Sequence, residues 1–293
     1  MSSGHPHCVE APRDWADGLP TDVLLAVLHR LDHADVLAAA GRVCRSWRRA
    51  ARDEPSLWRR VAMRGGPDGV ALDLRPRHRA MAREAVRRAA GGCEAFCLQD
   101  AGDDGFLGFL SERAPCLKSL CLISCCDVTN KGLKKAAAQL PLLEELELSL
   151  CYSIHGAGVY KAVAKACPLL KRFKLSKQFS FAEYNMEGNN DAFEIVNMHG
   201  LESLQLFGNA LSNKGLSTIL RSCPKLESLD IRHCFNLSMD ETLLRKCAGI
   251  KTLRLPDDPT DDYDHKFFTP VRSHDTSIFW YPIWYSDSSE DSD

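Results

Sequence analysis

The sequence predicts an α/β solenoid: a curved parallel sheet of short strands with helices on its outer side, preceded by a small all-helical unit. Three observations predict it. A phrase Leu-x-x-Leu-x-Leu recurs at near-constant period, small apolar residues recur in register with it, and the segments between copies carry helical periodicity. The clear copies start at Leu117, Leu143, Leu170, Leu201, Leu226 and Ile250, and a degenerate copy, Cys93-x-x-Phe96-x-Leu98, precedes them. Successive starts lie 24, 26, 27, 31, 25 and 24 residues apart.

A period of 20–30 residues built on this phrase is the signature of leucine-rich repeats. Leu-x-Leu has period two, so both leucines face one side of a short strand. One strand cannot bury that face alone; neighbours stacked in register bury it continuously. Eight residues after the first position stand Cys125, Cys151, Asn209 and Cys234, where the repeat pattern expects Asn or Cys. Gln178 in the long copy is the exception. Three residues before the first position stand Cys167, Cys223 and Cys247.

The elements follow in order. Residues 1–13 are short and polar. The set His5-Pro6-His7-Cys8 reads as a loose terminus, because no second ligand pair stands at zinc spacing. Residues 14–62 form a separate unit. Leu19-Pro20-Thr21-Asp22 opens a helix, with Pro in the first turn and an acid toward the N-terminal dipole. Val23, Leu24, Val27, Leu28 and Leu31 then fall on one apolar stripe. A second short helix starts at Val36, and a third carries Val43, Cys44 and Trp47. Pro55-Ser56-Leu57-Trp58 closes the unit. So short a stretch holds too little chain for a strong core of its own and is expected to complete it against a partner.

These residues carry a resemblance. Trp15, Leu19-Pro20-x-Asp22-Val23-Leu24, Val27-Leu28-x-x-Leu31, Val43-Cys44-x-x-Trp47-Arg48 and Leu57-Trp58 resemble an F-box over its full length. With the repeats, residues 14–256 resemble the F-box/leucine-rich-repeat proteins, in particular plant ones similar to Skp-interacting partner proteins. The resemblance implies a non-catalytic substrate receptor of a Skp–cullin–F-box ubiquitin ligase. The F-box would hold a Skp-type adaptor, and through it a cullin, while the repeats hold a protein target. The adaptor-binding residues carried over are Leu19, Pro20, Val23, Leu24, Val27, Leu28, Leu31, Val43, Cys44, Trp47, Leu57 and Trp58.

Residues 63–92 join the units. Arg77–Ala90 should be a helix with Met81, Ala85 and Val86 on one side. Its Arg83, Arg87 and Arg88 could form a nucleic-acid patch; an end cap for the repeat stack is the plainer reading. Residues 93–256 hold the repeats. Helical return segments are expected at Lys134–Leu140, Gly156–Cys167, Ser217–Ser222 and Asp240–Cys247, with Pro141, Pro168 and Pro224 near three of their ends. The long copy, Ser176–Asn197, should bulge as an aromatic loop. Residues 257–293 begin acidic, carry an aromatic run from Ile278 to Tyr285 and end in alternating serine and acid, a tail expected to be largely disordered.

Composition bounds the rest. The chain has 293 residues, is 45 % hydrophobic and carries a net charge of −2. It can bury a substantial core, and no global field draws it to nucleic acid or membrane. No apolar run reaches membrane-spanning length, and Met1–Pro12 lacks a signal stretch. The thirteen cysteines, many in repeat register, read as reduced thiols of a nuclear or cytoplasmic protein. No phosphate loop, HExxH, paired CxxC or nucleophile elbow is present, so no catalytic residue, metal or cofactor is expected.

The residues between and after the leucines face a concave surface of seven expected strands. Its charge reverses between Glu145/Glu147 and Arg172/Lys174. The long copy follows, with Phe179 and Phe181, and then Gln205 and Phe207 on the next strand. An aromatic anchor ringed by charge is the usual make-up of a binding hot spot. Target binding is therefore expected at Glu145, Glu147, Arg172, Lys174, Phe179, Phe181, Gln205 and Phe207.

Overall fold

A computed structural model describes residues 18–65, 69–177 and 188–263. The period-two phrase becomes a sheet of eight strands, all parallel and in sequence order. They are β1 (Arg60–Met63), β2 (Ala95–Gln99), β3 (Ser119–Ile123) and β4 (Glu145–Ser149), then β5 (Arg172–Ser176), β6 (Ser203–Gln205), β7 (Ser228–Asp230) and β8 (Thr252–Arg254). The register never slips. Val61, Phe96, Leu120, Leu146, Phe173, Leu204, Leu229 and Leu253 form one inward row across the sheet. All but the terminal Leu253 are buried.

The register cysteines show why the pattern wants Asn or Cys. Each donates to a backbone carbonyl of the preceding repeat: Cys125 to Leu98, Cys151 to Leu122 and Cys234 to Leu206, with Asn209 donating to Leu175 at 3.0 Å. A small buried donor satisfies a carbonyl that would otherwise be orphaned. Asn130 and Asn213 add a second staple. Each side chain donates to the backbone carbonyl, and accepts from the N–H, of a residue 25 positions later, His155 and Ser238.

The N-terminal unit holds α1 (Thr21–Leu28), α2 (His33–Asp35), α3 (Gly41–Val43) and α4 (Arg45–Asp53), and the helices between the strands begin with α5 (Arg75–Arg88), α6 (Asp104–Arg113) and α7 (Asn130–Ala137). They continue with α8 (Val159–Ala166), α9 (Asn190–Ile195), α10 (Asn213–Ser222) and α11 (Glu241–Cys247). Asp103, Thr129 and Asp240 cap their helices, each accepting from a backbone N–H three residues on.

Four expectations change. β1 is an eighth strand, supplied by the end of the N-terminal unit. Arg60-Val61-Ala62-Met63 alternates as a strand should, but carries no leucine phrase to announce it. The long copy contains the helix α9, whereas Gln178, Phe179 and Phe181 lie outside the described residues. The N-terminal unit also completes part of its core within the chain. His33 ties it to β1, its Nε2 donating to Leu57 O (3.1 Å) while its Nδ1 accepts from Ala62 N (3.3 Å). Trp58 is fully buried, donates to Ala51 O at 3.1 Å and lies under Arg88 of α5. Lastly, residues 257–263, expected as the start of a loose tail, turn back over the sheet.

The arginines of α5 are engaged. Arg83 and Arg87 stack on the Phe109 ring of α6, and Arg88 pairs with Glu84 and donates to Ala51 O. These contacts bond the helix that crosses from β1 to β2 to both of its neighbours.

Candidate functional site

The first candidate face is on α1. Its apolar stripe resolves into two columns, because residues four apart stand nearly above one another. Leu24 and Leu28 form the inner column and are buried, as are Leu57 and Trp58. These four face the interior, so they shape the surface but do not form it. The outer column is Val23 and Val27, 43 % and 37 % exposed; Leu31, just beyond the helix, and Val43 add apolar side chains at 40 % and 47 %. Pro20 is exposed, and Leu19, Cys44 and Trp47 are half-buried. Among the described residues, Trp47 Nε1 is buried without a hydrogen-bond partner. Four exposed aliphatic side chains are a large apolar share for the surface of a unit this small.

The second candidate face is the concave sheet. One outward row runs Ala62, Cys97, Cys121, Glu147, Lys174, Gln205, Asp230, Arg254, and the row beside it runs Arg60, Ala95, Ser119, Glu145, Arg172, Ser203, Ser228, Thr252. The structure brings Glu145, Glu147, Arg172, Lys174 and Gln205 together here. The two charge reversals are direct pairs across neighbouring strands: Glu145 with Arg172, and Glu147 with Lys174 at 3.2 Å. Burial opposes ionisation of Glu145, but the hydrogen bonds from Arg172 and Ser119 hold its carboxyl below the usual range. The pattern is thus largely neutralised within the sheet, not left as an open dipole for a partner. Gln205 Nε2 is buried with no partner among the described residues.

Phe207 is placed differently from expectation. It is 1 % exposed, because the chain's own Tyr263 stacks on it with ring centroids 4.1 Å apart. His233 packs on another side of Phe207 at 4.7 Å. Arg232 anchors the returning segment, donating to Pro259 O at 2.8 Å and to Asp262 at 2.5 Å, while its Nη2 pairs with Asp230 at 2.8 Å. The Asp230 and Asp262 carboxylates hold the Arg232 guanidinium above its ordinary value despite its burial. Arg254 also pairs with Asp262 (2.9 Å), Tyr263 hydrogen-bonds Ser176, and Lys174 Nζ lies 5.2 Å from the Tyr263 ring centre. The sequence carried one signal for this clasp, a single tyrosine within an acidic run, Asp257–Asp264, downstream of two outward arginines.

Among the described residues, no group of three or more His, Cys, Asp or Glu could hold a metal ion, and no helix is long and apolar enough to cross a membrane.

Both units match known families. The F-box-like family model matches residues 16–64, and a Leucine Rich repeat model matches residues 197–220. F-box/LRR-repeat protein 22 of Arabidopsis thaliana is 39 % identical over 269 residues, covering 89 % of this chain and 82 % of the relative. F-box protein SKIP19 of the same plant is 37 % identical over 270 residues, covering 90 % and 84 %. F-box/LRR-repeat protein 23, also from Arabidopsis thaliana, is 37 % identical over 254 residues. That match takes in 85 % of this chain but 55 % of the relative, so the chain spans about half of that protein's length.

Proposed function

The chain belongs to the F-box/LRR-repeat proteins, and from that membership we propose that it is the substrate-recognition subunit of a Skp–cullin–F-box ubiquitin ligase. The observation that carries this reading is the outer column of α1. Val23, Val27 and Leu31, with Val43, present aliphatic surface to water while Leu24 and Leu28 hold the same helix to its own core. The Skp-type adaptor would cover the outer column and link the chain to a cullin. The concave sheet would hold the protein target. Such a receptor needs no catalytic group, because holding a target beside a charged conjugating enzyme raises its effective concentration there. In this reading the target meets Glu145, Glu147, Arg172, Lys174 and Gln205, with Phe207 shielded by Tyr263.

The test is copurification. Val23→Asp with Val27→Asp places charge on side chains that already face water, so the fold should persist with a cost under about 1 kcal/mol. Adaptor binding should be lost. An interaction scaffold without a ligase role is the competing reading, and it wins if the wild-type chain fails to retain a Skp-type adaptor at micromolar concentration.

A further inference from the structure

Two thiols face each other on the concave sheet, in the outward row that leads to Glu147 and Lys174. Cys97 on β2 and Cys121 on β3 are directly paired in the parallel register, and their sulfurs lie 3.0 Å apart. We propose that Cys97 and Cys121 form a peroxide-oxidisable dithiol, a reversible modification site on the concave face. The proposal does not depend on the ligase reading, and its test needs no partner protein.

Register and spacing bring the pair together. Adjacent strands stand roughly 4.8 Å apart, inside the backbone separation that a disulfide spans. Both side chains emerge on the same face, and the sulfurs need approach by only about 1 Å to bond. Position separates this pair from the other cysteines. Cys125, Cys151, Cys167, Cys223 and Cys234 are buried and turned onto backbone carbonyls, whereas Cys97 and Cys121 are half-buried on an open face. An oxidant can reach the second group and not the first.

The two thiols are also unequal. The hydrogen bond with Cys121 holds the Cys97 thiol below its ordinary value against the cost of burial, and the Arg64 guanidinium adds a favourable charge. Cys121 moves the other way, raised by Cys97 and by burial. One sulfur thus favours the thiolate that attacks, and its neighbour remains a thiol ready to resolve. The Cys97 thiolate attacks one oxygen of hydrogen peroxide; the O–O bond breaks, and hydroxide leaves and takes a proton as water. The resulting Cys97 sulfenic acid is attacked by Cys121 sulfur. The S–S bond forms, the S–O bond breaks, and the departing hydroxide takes the Cys121 proton as a second water. The two sulfurs together lose two electrons, and the two peroxide oxygens gain them. A dithiol reductant reverses the step by exchange. Closure would staple the first two repeats and remove both thiols from the row that leads to Glu147.

The experiment is a disulfide map of the full-length protein. Reduced protein is treated with hydrogen peroxide at a concentration that oxidises the exposed Cys116. Remaining thiols are alkylated, the chain is digested without reductant, and linked peptides are sequenced by fragment ions. The expected product joins Cys97 to Cys121, with both of these thiols lost to alkylation and both recovered under dithiothreitol. In Cys121→Ser the linkage should vanish while Cys97 accumulates as a sulfenic acid trapped by a 1,3-dione. The wild-type map decides without any variant. The proposal is overturned if Cys116 is consumed while Cys97 and Cys121 stay alkylatable, or if the bond falls on Cys93, Cys125 or Cys126 instead.

Discussion

Lys174 shows how one side chain acquires several roles from its register. From the sequence, reversing Arg172 and Lys174 should cost little stability, as changes at solvated positions usually do. In the structure, Lys174 stands directly opposite Glu147, 3.2 Å away, and under the Tyr263 ring. Lys174→Glu would set two carboxylates opposite each other on neighbouring strands and remove the cation from the ring. Such like-charge cross-strand pairs are destabilising. We expect a loss of about 1 kcal/mol, read by urea unfolding, and the double change Glu147→Lys with Lys174→Glu should restore most of it. Equal losses in the single and double variants would show that the pair does not couple.

At the scale of elements, the returning segment Asp257–Tyr263 is held by charge and stacking rather than by a strand or helix. Its attachment should depend on pH through Asp262. The Arg232 hydrogen bond lowers the pKa of the Asp262 carboxyl, against an opposing cost of desolvation, and the Arg232 and Arg254 charges add to the lowering. A carboxylate whose folded pKa lies below its unfolded value stabilises fully above the unfolded value, about 3.9. That contribution is lost as pH falls through the lower folded value. The acid limb of the wild-type stability curve should therefore be steeper than that of Asp262→Asn. The curves should converge at the lowest pH, diverge as pH rises toward about 4, and keep a constant separation above that. Curves that stay parallel down to the lowest pH would mean that Asp262 does not hold the segment. The same segment covers Phe207, which strand periodicity alone leaves exposed: the residue that covers it lies 56 positions later in the chain.

The whole molecule is a one-dimensional stack, so the cost of a core deletion should depend on where in the stack it falls. Leu122 lies on β3, between two neighbouring repeats, and is fully buried. Leu253 occupies an inward phrase position on the terminal strand β8 but is only partly buried. Leu122→Ala should cost about 2–5 kcal/mol. Leu253→Ala, with one side of its site already open, should fall below that range. Equal costs in thermal or urea unfolding would contradict a stack with a frayed end.

By itself the sequence determined the repeat architecture, the strand register and the division into a helical unit and a solenoid. Each of these follows from local period: two for the strands, near 3.6 for the helices, about 25 for the repeat. The phrase is strong enough that Leu120, Leu146 and Leu204 could be placed on one inward row before any coordinates. Tertiary structure alone decided what meets what between distant positions. It split the α1 stripe into the buried Leu24 and Leu28 and the outward Val23 and Val27, because a core reaches only part of a helix. It recruited Arg60–Met63 as a strand, because the open edge of β2 offered a ladder to a segment with no leucine phrase. It laid Tyr263 on Phe207, because a contact made by a turn of the whole chain leaves no period for a sequence to display.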